Sequence, residues 1–335
     1  MSFNFNFQHS TTGNGGGERK QVDRDALNAE IISVVGTQKA KSVVGYVSGI
    51  VALGKQPQPD AEVEFTGDEE AERLEIAKNP KTYFKDGKNG KGVACRLKCW
   101  PVQATESVAV TVDFPQYPVN KGKYYGDENA KPLPLRLLMN GEFVFKGQPY
   151  ADRGLAKLYK LNVKKNKDNK WSLVPNNKLY QLAVATGVIE DGDAFLPNDI
   201  GKLIGKPALF EIRVYMKDDK YFTEEIALAG MIPEGLPIPE FDGSTLYGVY
   251  FNAPNDQDCL KQLRVAIRNQ MKRATDYETS SVKQELDNIF KSNASGSTTE
   301  GSNTQGSATP APAEKQAPKA AQEPVEANLD SDDPF

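Results

Sequence analysis

The chain has 335 residues, 39% of them apolar and 26% charged; that is room for about two domains, or for one domain with large insertions. The apolar share is low for a wholly globular chain, so part of it is expected outside any core. Net charge is only −4, from 41 basic and 45 acidic residues, and no apolar run approaches the ~18 residues a membrane span needs.

Residues 1–20 are poor in aliphatics and contain GNGGG, the composition of a flexible leader. They hold neither a basic n-region nor an apolar h-region, so no secretory signal is expected. Residues 22–35 predict a short helix, with Asp23 or Asp25 at its start and Gly36 just past its end. Residues 43–53, VVGYVSGIVAL, read as a β-strand, β-branched and interrupted by glycine. The segment 68–80, DEEAERLEIAKNP, reads as a helix with acids first, Lys78 last and Pro80 as its stop. Residues 92–100 and 106–114 alternate as strands. A Pro/Gly/Tyr-rich loop is expected over 115–134, then strands at 135–145 and 157–164. Residues 178–188 predict a short helix ending near Gly187. Residues 207–216 and 220–228 predict a hairpin around Asp218 and Asp219. An irregular Pro-rich stretch at 231–254 precedes a helix from Asp256 to Arg273 and another near 281–290. Many short strands, with one helix before the last pair, point to a small Greek-key barrel rather than a parallel sheet.

Residues 291–335 run from Ser/Thr/Gly through Pro/Ala to acid, with too few large apolar groups to offset the entropy of ordering. They hold three lysines against four glutamates and three aspartates, so the whole net charge lies there and residues 1–290 balance at 38 against 38.

Residue usage excludes several chemistries. The one histidine, His9, stands in the leader, which removes an imidazole base from the fold. Three cysteines cannot staple a chain of this size, and an odd count points to a reducing compartment. Cys95 and Cys99 share strand parity, so core packing explains them better than zinc; no metal and no cofactor is expected. The segment Gly201–Pro207, GKLIGKP, mimics a phosphate loop, but its glycine spacing is one short and Pro207 stands where Ser or Thr would bind Mg²⁺. Asp191 with Asp193, and Asp218 with Asp219, sit in turns where aspartate is common anyway.

What remains points to nucleic acid. On the strand 92–100, Val93, Cys95, Leu97 and Cys99 share one face, while Arg96, Lys98 and Trp100 share the other. An outward Trp forgoes a few kcal/mol of burial. Cations beside an aromatic plate suit an unpaired strand: phosphate meets the cation and a base stacks on the ring. The strand 208–216 repeats the pattern, with Phe210, Ile212 and Val214 inward and Arg213 and Tyr215 outward. Basic clusters add to it. Residues 153–170 carry seven cations, among them Lys160 and Lys164, against one acid, with Tyr159 and Trp171 beside them. Residues 81–91 carry Lys81, Lys85, Lys88 and Lys91 around Tyr83 and Phe84, and residues 117–125 carry Tyr117, Lys121, Lys123, Tyr124 and Tyr125. The plainer explanation of each cluster is a solvated, soluble turn; together they fit a groove tracking a phosphate chain. The row Arg264, Arg268, Lys272 is weaker and more often a solvated face.

The chain ends Asn328-Leu329-Asp330-Ser331-Asp332-Asp333-Pro334-Phe335. A compact acidic-aromatic tip on a long polar tether has the form of a tethered peptide ligand. This closing DSDDPF resembles the acidic tips of bacterial and bacteriophage single-stranded DNA-binding proteins. VGYVSGIVALGKQ (44–56), VAVTVDFP (108–115) and IGKPALFEIRVYMKDDKYF (204–222) are similar to barrel strands of the bacteriophage ones built on an OB-fold. The resemblance implies an OB-fold core with insertions over 21–254, a helical segment at 255–290 and a tether at 291–335. It implies a protein that coats ssDNA in replication, recombination and repair, without catalysis, in the cytoplasm (that of the host if phage-encoded). Asp330, Asp332, Asp333 and Phe335 would then bind replication and recombination proteins. Strand parity and clustering, not the resemblance, nominate Arg96, Lys98, Trp100, Tyr83, Lys85, Lys121, Lys123, Tyr124, Tyr159, Lys160, Lys164, Arg213 and Tyr215 for DNA. The rivals are a strand-annealing recombination protein, a metal-dependent nuclease, and an adaptor whose body never touches nucleic acid.

Overall fold

The computed structural model describes residues 23–36, 39–125, 127, 129–144, 152–218 and 221–291. The expected leader, and all of the expected tether and tip beyond Lys291, lie outside the described residues.

Helix α1 (Arg24–Val35) starts where Asp23 accepts the Ala26 N–H and ends at Gly36, whose φ of 74° lets its N–H reach the Ile32 carbonyl. Leu27, Ile31 and Val35, four apart, form its buried stripe. Strand β1 (Lys41–Gln56) outruns its expected length at both ends, because it pairs on both edges and is buried on both faces. Its glycines let other chain approach: a Cβ on Gly49 would stand 2.1 Å from the Tyr247 ring, and Gly54, at φ 74°, lies under Phe251.

Between β1 and the next long strand the chain inserts a small sheet and a helix: β2 (Ala61–Phe65), α2 (Glu69–Lys78), β3 (Tyr83–Lys88) and β4 (Ala94–Trp100), in strand order β2-β4-β3. Asp68 caps α2 by accepting the Ala71 N–H, and Asn79 ends it before Pro80. Strand β5 (Thr105–Val119) and helix α3 (Lys121–Tyr124) replace much of the expected 115–134 loop. β5 continues through a register shift between Phe114 and Pro118, the irregularity at which a strand tolerates Pro115 and Pro118.

The expected strand 135–145 is two pieces, β6 (Leu133–Leu138) and β7 (Glu142–Phe143), turned at Gly141 with φ 63°. β8 (Gly154–Leu155) pairs with β7; β9 (Tyr159–Lys160) and β10 (Val163–Lys165) divide the expected 157–164 strand; and β11 (Trp171–Leu173) pairs with β10. Helix α4 (Lys178–Ala185) and a 3₁₀ segment (Pro197–Leu203) lead to the expected hairpin of β12 (Pro207–Lys217) and β13 (Tyr221–Gly230).

The stretch read as irregular holds β14 (Tyr247–Val249), parallel to β1. The expected single helix over 256–273 is broken into α5 (Gln257–Lys261) and α6 (Val265–Met271), with Arg264 extended between them at ψ 145°. Its apolar stripe Leu260, Leu263, Ile267 and Met271 is nevertheless buried throughout. Helix α7 (Ser281–Lys291) ends the described chain. No helix among the described residues is long and apolar enough to cross a membrane.

The protein is mainly β with several helices. The main sheet runs β13-β12-β1-β5-β6, with β14 added on β1 and β9 on β5, and it does not close on itself. Its edge strands β6 and β13 nevertheless approach each other. One face carries a core of Val110, Val112, Phe114, Leu135, Phe210 and Ile212 under α1 and α4. The other face carries Val51, Leu53, Tyr247 and Phe251 under α5, α6 and α7, so the helical segment is bound to the sheet rather than set apart from it.

Arg264 spans the seam. Its guanidinium donates to Glu224 on β13 (3.1 Å), to Glu142 on β7 (3.1 Å) and to the Arg136 carbonyl on β6 (2.8 Å). Beneath it, Arg136 grips the buried Asp113 through two hydrogen bonds of 2.7 and 2.9 Å, and Ser48 and Thr245 hydroxyls donate to the same carboxylate. The break before α6 is what delivers Arg264 here, so the row Arg264, Arg268, Lys272 is not one continuous helix face.

Candidate nucleic-acid interface

Strand β4 keeps the parity its sequence predicts. Leu97 and Cys99 are buried, Cys95 is half-buried, and Arg96, Lys98 and Trp100 lie on the opposite face. That face is covered. Arg96 Nε and Nη2 donate to the two oxygens of Glu72 at 2.7 and 3.1 Å, and Nη1 donates to Asp86 at 3.0 Å. Lys98 donates to Glu75 and stands 5.7 Å from the Trp100 ring centre. Glu72 and Glu75 belong to α2. Hydrogen bonds from Lys78 and then Lys98 pull the Glu75 carboxyl down to about 2, and the Arg96 guanidinium holds Glu72 below its ordinary value.

Tyr83 and Lys85 sit opposite Cys99 and Leu97 in register, hence on the other face of the small sheet. Tyr83 donates to Asp60 at 2.7 Å, which pushes its hydroxyl up to about 12, and Lys85 donates to Glu62 at 2.6 Å.

Lys123 and Tyr124 turn to α1: both engage Glu30, and Lys123 lies 4.9 Å over the Tyr124 ring. Lys121 is half-buried, and burial beside Arg264 lowers its pKa. Tyr159 donates to the Met139 carbonyl at 3.0 Å, and burial pushes its hydroxyl up to about 12, so its ring belongs to the core edge. Lys160 is half-buried opposite Ser107. On β12, Arg213 stacks 3.9 Å from the Tyr215 ring, and both reach Glu225. Asp330, Asp332, Asp333 and Phe335 lie outside the described residues.

The nominated residues therefore occupy several separate surfaces, and most of their cations already have carboxylate partners. The β10–β11 hairpin differs. Lys164, Lys165, Lys167 and Lys170 are all exposed, and none forms an ion pair among the described residues. Trp171 is 56% exposed, directly across from Lys165, whose ammonium stands 5.8 Å from its ring centre. The projection is pre-shaped. Asn166 Oδ1 accepts the backbone N–H of Asp168 (3.0 Å) and Lys170 (2.9 Å), and Asn169 takes the left-handed turn at φ 61°. It is also bolted down, because fully buried Leu173 donates to the Phe195 carbonyl at 2.8 Å and Ser172 Oγ accepts the Phe195 N–H.

Only Lys164 of this hairpin was nominated. The cation run 153–170 signals it in sequence; the α2 acids that neutralise Arg96 and Lys98 come from 23 or more residues away and leave no local signal, whereas Glu225 stands directly across the hairpin from Arg213.

The phosphate-loop mimic is laced to β1: the Lys206 carbonyl accepts the Val47 N–H, and Pro207 pairs with Tyr46. Among the described residues, no group of three His, Cys, Asp or Glu side chains is arranged to hold a metal ion. No protein-family model matches this chain, and no curated protein or solved structure is significantly similar to it.

Proposed function

We propose that this chain is a single-stranded DNA-binding protein of the bacteriophage kind, coating DNA exposed in replication, recombination and repair. Its sheet supports the finer OB-fold reading. The order β13-β12-β1-β5-β6, with α4 between β6 and the β12–β13 hairpin, is that of a five-stranded Greek-key barrel. Arg264 ties the two edges together where such a barrel would close.

A fold hosts many functions, so the site must carry the reading. The observation that carries it is the hairpin, with four lysines that form no ion pair among the described residues around an exposed indole. Phosphates would meet the lysines, and an unpaired base would stack on Trp171 for about 1–3 kcal/mol. Duplex hides its base faces and gains only the first of these. The tip, Asp330, Asp332, Asp333 and Phe335, would recruit replication and recombination proteins.

A gel shift of the full chain with oligo(dT) and with duplex of equal length, at several salt concentrations, tests this. The reading predicts preference for oligo(dT) and an affinity that falls as salt rises. Equal retention of duplex, or no shift with either, contradicts it.

A further inference from the structure

Helix α2 is docked inside out. The residues it turns toward the small sheet are Ala71, Glu72 and Glu75, while Leu74 and Ile76 stand 58% and 41% exposed. None of its residues is buried. A surface helix ordinarily buries its apolar stripe and exposes its charges. Here the attachment is electrostatic, through Arg96 to Glu72 and Lys98 to Glu75, and an open cleft of about 410 Å³ remains between Glu72 and Arg73 on the helix and Asp86 and Arg96 on the sheet.

The surface beneath is built like a stacking platform. Directly opposed residues of neighbouring strands share a face. Phe65 lies opposite Arg96 and Phe84 opposite Lys98, so these two rings, 4.8 Å apart, join Trp100 and the two cations on one side of the sheet. The patch also holds one acid of the sheet itself, Asp86 on Arg96 Nη1, but three rings beside two cations are what an unpaired polynucleotide requires. The Glu72 carboxylate grips Arg96 through both oxygens, the same fork geometry a phosphate would use.

We propose that the β4 face of the insertion, Arg96, Lys98 and Trp100 with Phe65 and Phe84, is a second single-stranded nucleic-acid subsite, occupied in the free protein by the carboxylates of α2. The strand's phosphates displace Glu72 and Glu75, and the helix lifts because Ala71 is its one apolar side chain that is even half-buried. Salt-exposed ion pairs are weak anchors, so a strand already tethered at the hairpin competes at high local concentration. This subsite rests on the single-strand-binding reading above and deepens it: the protein has an open first contact and a masked second one.

The test uses Trp100 as reporter. In full-length W171F the hairpin keeps a ring and Trp100 is the sole indole. Titration with long oligo(dT) is followed by Trp100 emission, with a gel shift in parallel. In W171F, emission responds after the shift has begun. Adding E72Q and E75Q moves that response to oligo concentrations lower by at least about fivefold, and R96Q with K98Q abolishes it. In the unmodified protein, hydrogen exchange of α2 amides speeds up on saturation with oligo(dT). Trp100 emission that stays constant through a completed gel shift in both W171F proteins, or α2 exchange that slows or does not change, overturns the subsite and leaves the function standing. No gel shift by the unmodified protein overturns both.

Discussion

Trp100 and Trp171 each carry a lysine ammonium near the ring, at 5.7 and 5.8 Å, and sequence alone hardly separates them. Their neighbours do. Lys98 is committed to Glu75, whereas Lys165 has no carboxylate partner among the described residues. On the proposed function, Trp171 would therefore be the ring a base meets first. The two single-tryptophan proteins should separate accordingly. W100F, which keeps Trp171, should be strongly quenched at the lowest oligo(dT) concentrations that give a gel shift, and W171F should not. Equal quenching at equal concentrations would remove the distinction. Glu75 gives a second prediction at this scale. Its carboxyl lies at about 2 against an ordinary 4.5, lowered first by Lys78 of its own helix and then by Lys98 of the sheet, so the Lys98 share of the stabilisation is complete above pH 4.5 and lost as pH falls through about 2. A side-chain carbon NMR titration should place Glu75 near 2 in the native protein and higher in K98Q. A midpoint that K98Q leaves unchanged would show that the helix is not held to the sheet by this carboxylate.

At the scale of elements, the informative failure of the sequence is the helix expected over 256–273. Its stripe Leu260, Leu263, Ile267 and Met271 is correct as a burial pattern, yet the chain breaks it to swing Arg264 into the seam. Nothing local to Arg264 announces that its partners are Glu142 and Glu224, because they lie 122 and 40 residues away. β14 was missed for a different reason: Tyr247, Val249 and Phe251 alternate as strand formers do, but the prolines before them dominated the reading of the whole run. Replacing Arg264 by Met fills similar volume but leaves half-buried Glu224 without its cation and Glu142 with Arg153 alone, at 3.3 Å. With a quarter of the side chain still exposed, the cost should sit at the low end of buried-pair values, about 3 kcal/mol. Urea melts of R264M and of the triple variant R264M/E142Q/E224Q measure it. The triple variant should recover much of the loss, and a triple variant no more stable than R264M would deny Arg264 its role as the seam's clamp.

Across the whole molecule, what could be read in sequence was what depends on near neighbours. The caps Asp23, Gly36 and Asp68, the alternation along β4 and β12, and the closing hairpin all follow from periodicities within a dozen residues. Which cations are free was not legible, because that depends on acids brought in by folding. Arg96, Lys98, Lys85, Lys123 and Arg213 are each met by a carboxylate, and among the described residues the β10–β11 lysines are not. A chain whose first 290 residues have zero net charge thus carries, on one pre-shaped projection, four exposed lysines free of ion pairs among the described residues beside an exposed indole, and that is the claim on which the account of its function rests. The most direct measurement compares the unmodified protein with K164Q/K165Q/K167Q/K170Q in oligo(dT) affinity across a range of salt concentrations. Each phosphate contact on a single strand contributes about 0.7 to the slope of log affinity against log salt. The slope should therefore become shallower by about 2 to 3 in the variant, with affinity falling most at low salt. An unchanged slope would place the phosphate contacts elsewhere and contradict the account.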